Sequence, residues 1–139
     1  MANSAGIATS FKAEVLQAVH NLNSHSLKMA LYLTTATISA STTAYSATNE
    51  VSSSNYTAGG NAVTNGTVST SGTTAIWTPT ANISWTTVSF TTDCAFLYNT
   101  SASNKAIGAF TFGAQTVAAG NFTLTMPTND ASNALVRIA

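Results

Sequence analysis

Charged side chains are nearly absent from this chain. Only 6% of its 139 residues are Asp, Glu, Lys or Arg, and four acidic residues balance four basic ones; a typical soluble protein carries about 25%. Four basic residues (Lys12, Lys28, Lys105 and Arg137) cannot neutralise the run of phosphates that nucleic-acid binding requires, so no nucleic-acid partner is expected. The single cysteine, Cys94, excludes an internal disulfide. No apolar run is long enough to span a bilayer, so no membrane partner is expected either. The opening MANSAGIATSF lacks a basic start followed by an apolar stretch, so no secretion signal is expected and synthesis in the host cytoplasm is.

Catalytic groups are also scarce. There are two histidines, His20 and His25, and four carboxylates, Glu14, Glu50, Asp93 and Asp130. His20 falls near the end of a predicted helix, where a partial positive charge is favourable, and is expected to be a surface or capping residue; His25 falls in the loop that follows. No G-x-S-x-G frame occurs, and Gly59-Gly60 does not lead into Lys-Ser/Thr and a helix. One cysteine and two histidines fall short of the three or four ligands of a zinc site. The expectation is therefore no enzyme, no catalytic residues, no cofactor and no metal. Five N-x-S/T sequons, beginning at Asn55, Asn65, Asn82, Asn99 and Asn121, are expected from composition alone.

What the chain has instead is Ser, Thr, Asn and Ala, with apolar residues recurring between them. Residues 1–9 are small and polar and read as an N-terminal arm. Phe11, Val15, Val19 and Leu22 then repeat at helical spacing with Leu16 widening the stripe, which predicts one short helix over about 10–22 with Ser10 as its cap. From Leu27 the period is two: Leu27, Met29, Leu31 and Leu33 alternate with Lys28, Ala30, Tyr32 and Thr34. Residues 35–54 read as a long excursion. Gly59-Gly60 and Gly72 mark turns, and Asn65-Gly66 carries a type I′ hairpin signal. A strand over 75–78 ends at Pro79. Trp85 and Val88 face opposite ways, which predicts a bulge near Thr86-Thr87. Further strands are read around Cys94–Tyr98, Ala106–Phe112, Phe122–Met126 and Leu135–Ile138, with turns at 99–104 and at Gly120. Seven to nine short strands predict an all-β single domain over 10–139, a β-sandwich or jelly roll.

Most aromatic residues suit a core between sheets. Trp77, Trp85, Tyr32, Tyr45, Tyr56 and Tyr98 could alternatively stack on sugars. Tyr45 and Tyr56 fall in polar segments and, with Ile7 and Phe11 at the arm, are the candidate intermolecular contacts. A skin of hydroxyls and amides is hydrated without being repulsive, which suits a protein that packs closely against copies of itself.

Several blocks resemble a family of small virion structural proteins of tailed bacteriophages: LKMALYLTTATIS (27–39), STTAYSATNEVSSSNYTAGGNAV (41–63), AFLYNTSASNKAIGAFTFG (95–113), GNFTLTMP (120–127) and the terminal LVRIA. The resemblance implies a particle component without an active site. It points to a capsid decoration, or cement, protein on the virion head, with self-association (a homotrimer) and the major capsid protein as partners. A tail or tail-fibre component binding a host glycan or another tail protein is the alternative.

Overall fold

A computed structural model describes residues 2–139. Its strands are β1 (Gly6–Ile7), β2 (Leu27–Tyr32), β3 (Asn61–Ala62), β4 (Ser69–Ser71), β5 (Thr74–Trp77), β6 (Ile83–Asn99), β7 (Lys105–Leu124) and β8 (Val136–Ile138); one helix, α1, covers Thr9–Leu16. They form two antiparallel sheets, one in the order β1-β7-β6-β2-β3 and one in the order β4-β5-β8. The chain is all-β, as its periodicity predicts. The sheets hold five and three strands, not the paired four-stranded sheets of a jelly roll.

The dominant element is the β6–β7 hairpin, of 17 and 20 residues. Its tip is a 3-10 turn over Thr100–Ala102, closed by Ser103 and Asn104 with φ of 54° and 60°. Near the tip β6 is central: Cys94–Asn99 pair with β2 on one side and with β7 on the other. Both faces are covered there, so Cys94, Phe96 and Leu97 are fully buried. Farther out the hairpin continues as a ribbon, and register shifts between Trp85 and Val88, Val88 and Phe90, and Thr92 and Cys94 bend it. Thr87, with φ of 52°, sits at the bulge the sequence predicts. Gly120 does not turn the chain; β7 runs through it.

Two further expectations are corrected here. Asn65-Gly66 forms no I′ turn: that turn needs positive φ at both residues, and neither has it. Gly66 serves close approach instead, since a Cβ there would lie 2.0 Å from the Thr78 carbonyl oxygen. The N-terminal segment is not a free arm. Gly6 and Ile7 pair with Ala109 and Gly108, the Ser4 amide donates to the Ile38 carbonyl at 2.9 Å, and the Asn3 amide donates to Asp93 at 2.7 Å. Residues 33–60 likewise fold back on the body, burying Ala36, Ile38, Val51 and Tyr56.

The helix is shorter than predicted and begins one residue earlier. Ala8 precedes it without a side-chain cap, and the Ser10 hydroxyl is buried with no partner. It ends at Leu16 because the chain turns left-handed at Ala18, φ 61°. The Val19 amide donates to the Glu14 carbonyl at 3.0 Å and the Ala18 amide to the Val15 carbonyl at 3.2 Å, the paired bonds of a Schellman ending. Val19 and Leu22 keep helical spacing in the sequence but lie beyond this ending. Glycine is the usual residue at the left-handed position, and Ala18 costs about 1–2 kcal/mol of strain there. After glycine's greater unfolded-state freedom is subtracted, Ala18→Gly is expected to stabilise the fold by roughly 0.5–1 kcal/mol. Thermal unfolding should show Tm rising by a few degrees; an unchanged or lower Tm contradicts this ending.

Candidate interaction surface

Three large apolar side chains stand out in water among the described residues: Leu16 (89% exposed), Ile138 (49%) and Val68 (42%). They converge. Val68 and Ile138 line an open groove of about 360 Å³, and Val15 and Ala18, on either side of Leu16 in sequence, line it too. One wall is the Phe11–Val15 stripe of α1. The other is the small sheet, through Ile76, Trp77, Val136 and Ile138. Its lining residues include no carboxylate, ammonium or guanidinium. Contiguous exposed apolar surface of this kind marks binding sites, whereas single exposed apolar residues do not.

Polar bonds behind the groove fix its walls. The Trp77 indole N–H is directed at two carbonyls, Leu22 at 3.1 Å and Gly66 at 3.2 Å, tying the helix-to-strand loop and the 63–68 segment to the small sheet. Asn65 donates to the carbonyls of Leu22 and His25 at 3.0 and 2.8 Å.

His20 is not a surface residue, as the sequence suggests; its side chain is completely covered. The Schellman turn carries it back over α1, where Nε2 meets Glu14 at 2.9 Å, while Lys105 reaches the other carboxylate oxygen at 3.5 Å. Nδ1 of His20 lies 3.0 Å from Asn99 Nδ2, and Nδ1 of His25 lies 2.9 Å from the same nitrogen. An amide nitrogen can only donate, so both imidazole Nδ1 atoms accept. Asn99 cannot flip without loss, because its Oδ1 accepts the Ser101 amide at 3.0 Å. His20 is thereby held with its proton on Nε2, facing Glu14. Both of its ring nitrogens are engaged, so this pair joins the helix, the 17–26 loop and the hairpin tip.

A second network organises residues 33–60. Glu50 accepts the hydroxyls of Tyr45 (2.7 Å) and Tyr56 (2.6 Å) and the Gly59 amide (2.8 Å). Tyr56 also accepts the Leu31 amide at 2.9 Å, and Tyr98 donates to the Gly59 carbonyl at 2.6 Å. Tyr45 stacks on Tyr98, with ring centroids 4.8 Å apart.

The four residues expected from sequence to make intermolecular contacts are not gathered by the fold. Phe11 (1% exposed) and Tyr56 (7%) are core residues, Ile7 is a half-buried member of β1, and Tyr45 is half-buried with its hydroxyl on Glu50. Only Phe11 borders the groove, as part of its wall. Trp77, Trp85, Tyr32 and Tyr98 are buried as well and offer no platform for sugar stacking. Leu16 was legible in the sequence as part of an apolar stripe, but that stripe implies burial. No cluster of three His, Cys, Asp or Glu residues placed to hold a metal occurs among the described residues, and no helix there is long and apolar enough to cross a membrane. Comparison of the chain with protein-family models, with curated proteins and with solved structures finds no match.

Burial and the neighbouring Glu50 charge push the Tyr98 hydroxyl up to about 12, and the same causes raise Tyr32, Tyr45 and Tyr56, with the Glu50 hydrogen bond adding to the rise at the last two. Burial, with Asp93 nearby, likewise raises the Cys94 thiol to about 12. For tyrosine the neutral form is the protonated one. The folded state therefore holds protons that the unfolded state has released above its ordinary value near 10, and stability falls as pH rises through that point. Phenolate absorbance should appear together with loss of near-ultraviolet dichroism above about pH 10. Four tyrosines that ionise at ordinary pH in a still-folded protein would contradict the network.

Proposed function

We propose that the chain is a non-enzymatic structural protein of a tailed-bacteriophage particle, acting as a decoration protein that stabilises the head shell. The observation that carries this reading is a folded all-β body with an almost uncharged skin and an exposed apolar groove. The hydroxyl rows on the outer hairpin, such as Ser84–Thr123 and Thr91–Thr116, each at 2.9 Å, hold water without presenting charge. A neighbour can approach such a surface without burying unpaired ions. The blockwise resemblance to small virion proteins supplies the particle.

The mechanism is mass action. A subunit that binds the assembled shell, and not its separated components, stabilises the shell by RT ln(1 + [L]/Kd), about 2.7 kcal/mol per site at a hundred times Kd. A tail or tail-fibre location is the alternative, and the inward-facing aromatics give its glycan-binding form no support. Gold-labelled antibody against the chain, applied to virions, is expected to decorate heads. Shells stripped of the protein should melt at lower temperature and recover saturably when it is added back. Label confined to tails selects the alternative, and virions without label overturn both.

A further inference from the structure

We propose that the groove between α1 and the small sheet receives Leu16 from a second copy of this chain, and that two copies exchange these leucines across a two-fold axis. The proposal rests on the reading of the chain as a self-associating structural protein and specifies the contact.

A protruding apolar side chain, Leu16, is next in sequence to Val15, which lines an open recess. Leu16 is the most exposed large apolar residue described. It lies about 100° around the helix from Val15, so it stands beside the groove and cannot fold into it. The groove, at about 360 Å³, has room for a leucine and part of the helix end that bears it. Because the leucine and the recess are adjacent, one two-fold operation places each Leu16 over the other copy's groove at once. A self-complementary patch of this kind closes after two copies, in place of the three expected from sequence.

Charge favours the same occupant. The groove offers no ionic partner, and an ordinary protein surface would have to desolvate charges to enter it. A second copy brings α1, the 17–23 loop and β8, whose only ionic side chains are Lys12, Glu14 and Arg137. Glu14 is already paired with His20 and Lys105, and Arg137 donates to the carbonyls of Ala131 and Ser132. The contact is confined to one helix end, one recess and a short edge strand, a smaller footprint than the roughly 800 Å² per partner of a standard interface. Pairing in solution should therefore be weak, with a Kd in the micromolar range or above, and should strengthen when copies are held side by side on a shell.

Sedimentation velocity over a concentration series is expected to show a reversible monomer–dimer equilibrium for the native chain. Leu16→Asp should remain monomeric at all concentrations, with unchanged far-ultraviolet dichroism and a Tm within about a degree, because Leu16 is outside the core. A mixture of Leu16→Cys and Val68→Cys chains should form a mixed disulfide under mild oxidation, with Cys94 buried and silent. A native chain that stays monomeric at millimolar concentration overturns the pairing, as does a Leu16→Asp chain that associates normally. A three-copy complex, or a dimer that gives no mixed disulfide, overturns the two-fold exchange. Shell binding by Leu16→Asp is read separately: if it persists while pairing is lost, the decoration reading stands; if a native dimer ignores shells, that reading fails and the pairing stands.

Discussion

Antiparallel pairing of β6 with β7 is the constraint on which the rest of the structure depends. Every other element of the larger sheet attaches to this hairpin: β2 to the inner half of β6, β1 to β7, and β3 through β2. The two halves of the hairpin differ. Near the tip both faces are covered and the strands are apolar on both sides. Farther out one face turns to water, and bulges absorb the mismatch between the two strand lengths. The outer edge of β7 beyond Ala109 pairs with no other strand and carries no charge before Asp130. Such an edge is normally a liability for strand addition, and the register shifts along it are a recognised means of blunting it.

Polar side chains in this protein mainly reinforce segments that lie outside the named strands and that backbone bonds touch only at isolated points. The long 33–60 excursion contributes no strand of its own, and Glu50 with its tyrosines fixes it against β2. Asn99 draws both histidines to the hairpin tip, and Trp77 joins the small sheet to the loop after α1. Each buried polar group so paired avoids the roughly 1–3 kcal/mol cost of an unsatisfied one. Few ions remain for the surface.

Much of the fold was legible in the sequence because period-two alternation reports burial directly. The strand from Leu27, the bulge near Thr86-Thr87, the turns at Gly59-Gly60 and Gly72, and the all-β class follow from it. What was not legible depended on contacts distant in sequence. The helix pattern runs through Val19 and Leu22, but an alanine adopts the left-handed conformation at residue 18 and no local signal marks it. Asn65-Gly66 reads as a turn, yet the glycine answers to Thr78. Tyr45 and Tyr56 look idle in a polar stretch until Glu50 comes into view. The groove was hidden for a similar reason: Val68, Leu16 and Ile138 are far apart in the chain, and a single exposed apolar residue carries no message.

Hydrogen exchange resolved by residue, measured at low and at high protein concentration, tests this arrangement most directly. The slowest amides at both concentrations should lie in β2 and in residues 94–99 and 106–109, where the sheet is covered on both faces. On concentration, added protection should appear in α1, around Val68 and in β8, while the outer edge of β7 over 111–124 remains unchanged. Protection gained along that edge, or rapid exchange through 94–99, would contradict it.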